Sequence, residues 1–144
     1  MTVDNERGGT MIGWVGDIEQ RTVDNTTFRT VLFTGEHSQL TVMRIAAGDD
    51  IGSEVHPDHD QFLRIEQGSA RLELGRSEDT VDETYDVEED SAFVVPAGVW
   101  HNVVNTGTDD LKLYSIYSPA EHPDGTVHET KVDAEAAEHA HGSA

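Results

Sequence analysis

The sequence predicts an all-β fold, on three observations. Apolar residues mostly alternate with polar ones or cluster in short runs bounded by glycine, proline and acidic turns, which is typical of strands. These runs are numerous and evenly spaced. No long helical pattern separates them, so an antiparallel sandwich or a closed barrel is favoured. One domain is expected, because 144 residues suit a single compact core.

Eight strands are predicted in chain order, with turns at AGDDIG, QGS and NTGTDD. They are FRTVLF (28–33), QLTVMRIA (39–46), GSEVH (52–56), QFLRIEQ (61–67), ARLEL (70–74), AFVVP (92–96), WHNVVN (100–105) and LKLYSIYS (111–118). The barrel is therefore expected over residues 28–118. An N-terminal arm (1–27) would precede it, and a C-terminal strap with a disordered tail (119–144) would follow.

Three other segments are interpreted from their composition. The charge run 77–90 is expected to be a solvated connection or an edge strand. Segment 117–130, which contains His122 and His128, suits a loop across the barrel mouth, as a lid or as a strap against a second subunit. Segment 132–144 predicts a frayed helix or a disordered tail, in which His139 and His141 are solvated.

The charge of the chain excludes one class of partner. The chain has twenty-nine acidic and nine basic residues, for a formal charge of −20, and Lys112 and Lys131 are the two lysines. Binding to nucleic acid needs a basic face, so nucleic acid is not expected as a partner. An acidic, lysine-poor surface is typical of proteins from salt-loving microbes, where salt screens self-repulsion.

Cysteine usage and apolar runs limit the chemistry and the compartment. The chain has no cysteine, so any metal must be held by nitrogen and oxygen donors. No apolar run approaches the roughly 18 residues of a membrane span. The first ten residues, MTVDNERGGT, lack the regions of a signal peptide. A cytoplasmic protein that does not bind membranes is expected.

The stretch EVHPDHDQF (54–62) is the candidate for chemistry, either a metal site or only a polar turn. Residues two apart in a strand share a face, so Glu54 and His56 are expected to point the same way, with Gln61 entering the next strand. His101 opens a later strand and adds a fourth donor if the barrel closes over both segments. His59, on the Pro-Asp turn, is an alternative third ligand but is expected to be solvated.

At these residues the sequence resembles the cupin family. The second cupin motif is matched by Pro96, Gly98, His101 and Asn105, although Asp90 stands where a glycine is expected. In the first motif Gly68 is in place, Gln61 stands at the glutamate position, and Glu54 and His56 occupy the His-x-His pair. By position, the family's metal ligands would be Glu54, His56, Gln61 and His101.

The resemblance implies a jelly-roll barrel, the cupin double-stranded β-helix, that binds a divalent Mn, Fe or Zn ion. Its ligand composition is similar to that of phosphomannose isomerases, with glutamine and glutamate exchanged. It implies an isomerase-like enzyme for a small polar carbonyl or hydroxy compound, such as a sugar phosphate. The alternatives are an oxalate-decarboxylase-like or dioxygenase cupin, a noncatalytic small-molecule-binding cupin, and a metal-free barrel with core histidines. A homodimer is expected, and no catalytic residue is assigned.

Four further residues are expected to support the strands. Asn105 should hold its own strand end through backbone hydrogen bonds. Trp100 and Phe62 fall on the face opposite His101 and Gln61 and are expected to be packing residues. Arg64 should point outward into an ion pair.

Overall fold

The computed structural model describes residues 12–141, with side chains as far as residue 138. Over this range the chain forms nine strands and two helices. They are α1 (Ile18–Asp24), β1 (Arg29–Thr34), β2 (Gln39–Ile45), β3 (Asp60–Gln67), β4 (Ser69–Gly75), β5 (Glu83–Glu88), β6 (Ala92–Val95), β7 (Trp100–Asn105), β8 (Leu111–Ser118), β9 (Val127–His128) and α2 (Lys131–His141). None of these helices is both long enough and apolar enough to span a membrane.

The strands form two antiparallel sheets, so the all-β prediction is confirmed. The larger sheet has the order β6-β3-β8-β2-β1-β9 and the smaller has the order β5-β4-β7. Leu63, Ile65 and Leu113 belong to the hydrophobic core and are each 0% exposed. Burying one such side chain contributes about 1.5–3 kcal/mol to the free energy of unfolding.

The inner face of the larger sheet changes from apolar to polar along its strands. In one row, Gln39 on β2 and Gln61 on β3 both pair with Tyr117 on β8 between them, and all three side chains are buried. Toward the start of β8 the inner face is apolar: Leu111 and Leu113, on either side of Lys112, belong to the hydrophobic core. One end of the barrel interior is therefore lined with polar groups.

Segment 52–56 does not form the predicted strand, which corrects that assignment. Its one bridge to β7 joins Glu54 to His101, and a second isolated bridge joins Asp50, just before the segment, to Val104. Gly52 lies between the two bridges with a φ of +97°. That left-handed backbone interrupts the extended conformation that a continuous ladder needs.

Elements also form in the segments outside the predicted strands. The charge run 77–90 contains β5, an edge strand of the smaller sheet, as one of its two interpretations expected. Lys112 donates from Nζ to the carbonyl of Val23 at 2.8 Å and so attaches α1 to β8. The C-terminal segment forms α2, the helical one of its two expected forms.

Helix α2 is attached to the barrel at its first turns. Lys131 forms ion pairs with Asp49 and Asp50, with Nζ to Oδ1 distances of 3.1 and 2.5 Å. Ala134 is buried in the core. These contacts place the helix over the polar end of the barrel, next to segment 52–54. His139 and His141 lie where side chains are not described.

Candidate metal centre

Three predicted ligands converge at the polar end of the barrel. Glu54, His56 and His101 each offer a ligand atom, and these atoms lie within 4.8 Å of one another. Glu54 Oε1 is 3.4 Å from His56 Nε2 and 3.6 Å from His101 Nε2. One carboxylate and two imidazoles on a concave surface form a donor set that suits divalent transition metals.

Backbone hydrogen bonds fix the segments that carry these ligands. The Glu54 and His101 main chains exchange two hydrogen bonds, each 2.9 Å long. Gly98 donates from its backbone N–H to the His56 carbonyl at 3.0 Å. The turn before β7 and the segment before β3 are therefore held together, although 45 positions separate His56 from His101. Sequence spacing alone does not show this contact.

Gln61 faces the same interior. It is 1% exposed, and its cross-strand partner Tyr117 has its ring centroid 5.5 Å from that of His56. The Gln61 Oε1 atom is buried without a hydrogen-bond partner. A buried acceptor left unsatisfied costs roughly 1–3 kcal/mol, and a bound cation would remove this cost.

The histidines are oriented for metal binding. The Nε2 atoms of His56 and His101 are both buried, and no described residue makes a hydrogen bond with either of them. His101 Nδ1 lies 3.2 Å from the carbonyl of Val99, so it donates there and leaves the Nε2 lone pair free. A second hydrogen bond of this kind is typical of metal-binding histidines. The residues present therefore fit a divalent ion.

Glu121 contacts the Nδ1 atom of His56, as the Val99 carbonyl contacts the Nδ1 atom of His101. Its Oε1 atom is 3.4 Å from His56 Nδ1 and 3.1 Å from His59 Nδ1. A carboxylate behind an imidazole fixes the ring and makes it a better ligand. Sequence reasoning missed Glu121, because its position after β8 has no periodic relation to segment 54–62. Only the fold brings the two segments together.

Gln39 holds the segment that carries Glu121. Its Oε1 atom accepts from the backbone N–H groups of Glu121 and His122, at 3.2 and 3.0 Å. Its Nε2 atom donates to the His122 carbonyl at 2.7 Å. Gln39 is 1% exposed, so it is an interior anchor for the segment that closes one side of the site.

The charges at the site favour a cation. Burial alone would raise the pKa of Glu54, but the close His101 and His56 imidazoles outweigh it and hold that pKa well below its usual range. Burial would lower the pKa of His56, whereas Glu121 and Glu54 raise it to about 9. Without a metal, the carboxylates thus stabilise a proton on His56. A divalent cation would take the place of that positive charge.

A cavity of about 700 Å³ opens beside these ligands. Glu54 and His56 line it, together with His122 and His128. Its volume lies within the ordinary range of small-molecule sites. Trp100 also lines the cavity, which corrects its prediction as a packing residue. The burial of β7 does alternate from Trp100 onward, but at this end of the strand the indole still reaches the cavity.

His59 differs from its sequence-based description. Its side chain is 19% exposed and contacts the Glu121 carboxylate, so it is not solvated. It is not among the three converging ligand residues. The turn at 57–58 folds His59 back toward the segment that follows β8, which the local sequence does not indicate.

The other supporting residues behave as predicted. Asn105 donates from Nδ2 to the carbonyls of Ile45 and Asp109, both at 2.9 Å. Arg64 forms an ion pair with Asp90, from Nη2 to Oδ1 at 2.9 Å. Phe62 packs against Tyr114, with ring centroids 6.3 Å apart.

The backbone explains one matched motif position, Gly68, and one position that departs from the motif, Asp90. Gly68 has a φ of +102°, and a Cβ there would lie 3.2 Å from both Asp110 O and Leu111 Cα. Asp90 has a φ of +73°, in the left-handed region that glycine adopts most easily. Aspartate tolerates that region better than most residues. Asp90 therefore adopts the left-handed backbone conformation that a glycine would adopt at this motif position.

Comparisons with known proteins identify relatives over most of the chain. YrkC of Bacillus subtilis (strain 168), an uncharacterized protein, is 58% identical over 125 residues, which cover 87% of this chain and 67% of YrkC. The crystal structure of BH2720 from Bacillus halodurans matches with a TM-score of 0.86 at 50% identity, over 90% of this chain and 97% of BH2720.

A more distant structure shares the fold alone. KdgF from Halomonas sp. matches with a TM-score of 0.57 at 22% identity, over 65% of this chain and 78% of KdgF. The family model described as "Cupin domain" matches residues 41–117. This range contains the converging ligands and both sheets except for β1 and β9. The chain belongs to the cupin superfamily, and its sheets form the jelly-roll barrel of that family.

Proposed function

We propose that this protein is a small metal-dependent cupin enzyme that acts on a polar carbonyl or hydroxy compound. The observation that carries the proposal is the convergence of Glu54, His56 and His101, of which Glu54 and His56 line the main cavity. The buried, unpartnered Nε2 atoms of the two histidines support it. Gln61 is the proposed fourth ligand, supported by its unpartnered Oε1.

A bound divalent ion would polarise a carbonyl or hydroxyl oxygen of the substrate. Glu54 and the two histidines would hold the ion, while Glu121 would keep His56 oriented through Nδ1. Mn²⁺, Fe²⁺ and Zn²⁺ all suit such nitrogen and oxygen donors. Both an isomerase and a lyase would use this chemistry, so either reaction class is compatible with the proposal.

Two cavity residues are placed to handle protons. Burial and then Arg29 lower the pKa of His122 to about 3, so this imidazole is neutral and can hydrogen-bond a substrate. Glu138 lines the same cavity, and burial, followed by Glu54, raises the pKa of its carboxyl. A carboxyl with a raised pKa suits general acid–base catalysis, and Glu138 is the proposed group for this role.

Elemental analysis of the purified protein tests the metal centre. About one transition-metal ion per chain is expected in the wild type, and a His101→Ala variant should lose it, because one of the two imidazole ligands is removed. His37→Ala is the matched control, since that histidine is 88% exposed and contacts only Glu36 among the described residues. It should keep its metal.

Two outcomes would contradict the proposal at different levels. A wild-type protein without metal, even after addition of Mn²⁺, Fe²⁺ and Zn²⁺, would rule out the metal centre. A metal-loaded protein that binds keto acids or sugar phosphates without turnover would be a noncatalytic binding cupin. Turnover that disappears in Glu138→Gln, with metal content unchanged, would support both the enzyme and the acid–base role.

We also propose a homodimer in the cytoplasm. Both end strands of the larger sheet, β6 and β9, have exposed apolar residues, with Val94 58% and Val127 50% exposed. An exposed apolar edge strand favours pairing with another chain. Light scattering after size exclusion should give twice the mass of 15.8 kDa, and the monomer mass would contradict this.

A further inference from the structure

A buried arginine near the metal centre pairs with no carboxylate among the described residues. Arg29 on β1 is 2% exposed. Its contacts within the described residues are Nη1 to His128 Nδ1 at 3.3 Å and a stacking contact with Phe28, 5.3 Å from the ring centroid. Its Nε atom is buried without a hydrogen-bond partner. Arginine almost never lies fully buried unless it is paired.

The position of Arg29 connects it to the proposed site. Arg29 and Glu54 both line a cavity of about 110 Å³. That cavity shares Ser53, Glu54 and Glu138 with the main cavity. The two cavities therefore meet at a metal-ligand residue, and a molecule in the main cavity could extend toward the guanidinium.

Two neutral polar groups with unused hydrogen-bonding capacity lie on the same side of the barrel. Tyr117 Oη and His122 Nε2 are both buried and have no hydrogen-bond partner in the part of the chain that the structure describes, and their ring centroids are 5.2 Å apart. The Tyr117 ring is 5.5 Å from that of His56, and the His122 ring is 6.2 Å from that of His128. These side chains form a continuous series from the metal centre to the residue that contacts Arg29.

The chemistry of these groups specifies a ligand. A guanidinium matches a carboxylate with two parallel hydrogen bonds, and a phenol and an imidazole can each donate one more. A dianionic phosphate is disfavoured, because Glu54, Glu121 and Glu138 surround the same cavity. A single negative charge is better balanced by the metal and Arg29 together.

We propose that Arg29 binds the carboxylate of the substrate, so that the substrate is a small hydroxy or keto acid with its hydroxyl or carbonyl oxygen at the metal. Tyr117 and His122 donate further hydrogen bonds to the same carboxylate. This inference rests on the metal centre proposed above, and it narrows the substrate from a polar carbonyl or hydroxy compound to an acid.

Calorimetric titration of Mn²⁺-loaded protein tests this assignment, with glycolate as the probe and ethylene glycol as its uncharged counterpart. Glycolate should bind wild type at least tenfold more tightly than ethylene glycol does. Arg29→Gln should lose this preference while its manganese content stays unchanged. Arg71→Gln is the matched control, because Arg71 pairs with Glu73 on the smaller sheet; it should behave as wild type.

Either of two results would overturn the proposal: equal glycolate affinity in wild type and Arg29→Gln, or equal affinity of wild type for both probes. If Arg29→Gln does not fold, Tyr117→Phe keeps the ring and removes only Oη. It should weaken glycolate binding by about threefold or more, as the loss of one hydrogen bond implies. Unchanged affinity in that variant would then count against the site.

A metal-free arm separates failure of this inference from failure of the metal centre. If the wild type holds no metal, the proposed function fails on elemental analysis alone. Acetate, followed by ligand-observed NMR, should still bind the metal-free wild type and not Arg29→Gln, because the guanidinium site does not need the metal. Absence of acetate binding to that wild type would overturn the Arg29 assignment.

Discussion

Gln61 has a buried amide oxygen that no described group satisfies, at the position where the cupin motif has glutamate. Gln61→Glu should bind a divalent metal about tenfold more tightly, or about 1.4 kcal/mol, because a carboxylate is a stronger ligand than an amide. Without metal the same variant should be less stable, because the new carboxylate would be buried at a position that is 1% exposed. Metal titration and thermal melting in chelator measure the two effects.

Gln20→Glu is the control for added charge, since Gln20 lies exposed on α1. It should leave both metal affinity and metal-free stability nearly unchanged. An affinity in Gln61→Glu equal to that of the wild type would remove Gln61 from the ligand set and leave Glu54, His56 and His101 as the protein's contribution.

An individual site residue can be predicted from the sequence when its spacing from another site residue places both on one face of a strand. Glu54 and His56 were placed together by strand alternation, and the family motif added His101. Glu121 and Arg29 were missed, because each reaches the site through a strand pairing or a loop position far along the chain. Trp100 was expected only to pack, because alternation shows which face of a strand a residue lies on but not whether its side chain reaches a cavity.

Among the elements, the segment between β8 and β9 depends on Gln39. Gln39→Leu removes three hydrogen bonds to residues 121 and 122 and leaves their backbone groups without this partner. The free energy of unfolding should fall by about 2 kcal/mol or more, at about 0.5–1.5 kcal/mol for each bond. Urea denaturation measures the loss, and hydrogen exchange should show faster exchange in residues 119–126.

Gln67→Leu is a matched change on β3 of the same sheet. Among the described residues Gln67 makes one side-chain hydrogen bond, to the Asp110 carbonyl at 3.3 Å, so its loss should be smaller and should not affect exchange in residues 119–126. If Gln39→Leu left exchange there unchanged, the segment would be held by its own packing and not by Gln39.

The attachment of α2 should depend on pH at both extremes. Burial raises the pKa of Asp50, but Asn102 and Lys131 outweigh it and bring that pKa below its ordinary value of 3.8. The contribution of Asp50 to stability is therefore complete above pH 3.8 and is lost as the pH falls through the lower folded value. Burial lowers the pKa of Lys131, but Asp50 and Asp49 raise it above 10.5.

The contribution of Lys131 is accordingly complete below pH 10.5 and is lost as the pH rises through its folded value. The protection factors of the α2 amides, which are exchange rates corrected for the intrinsic pH dependence of amide exchange, should be highest, and flat, between these limits. Lys131→Met removes the ion pairs, and its protection factors should be lower in that window and nearly independent of pH at the acid end. The same acid dependence in both proteins would show that another group controls the helix.

The strands could be predicted from sequence because each carries its own alternation of buried and exposed residues. Segment 52–56 was the exception, since its alternation is real but its neighbours do not supply a continuous ladder. The short elements α1 and β9 were not predicted. Two residues of β9 have no pattern of their own, and they become a strand only because β1 is beside them.

For the whole molecule, the formal charge of −20 predicts a strong dependence on salt. Repulsion among exposed acids destabilises the folded chain, and it acts over about 10 Å at 0.1 M salt but only about 3 Å at 1 M. The melting temperature should therefore rise steadily as sodium chloride increases over this range. A flat or falling curve in calorimetry would count against the interpretation of a salt-adapted surface, which stays a prediction.

Gln39 binds the main chain at positions 121 and 122 and leaves both side chains free to differ. A substitution of Glu121 therefore changes the electrostatic partner of His56 without breaking the hydrogen bonds that hold the backbone at this position. Gln39 fixes the backbone of this side of the cavity, whereas the side chain at position 121 sets the environment of the His56 imidazole. Relatives with the same anchor could thus acquire different metal preferences or reactions through one exchange at position 121, while the architecture of the pocket is inherited intact.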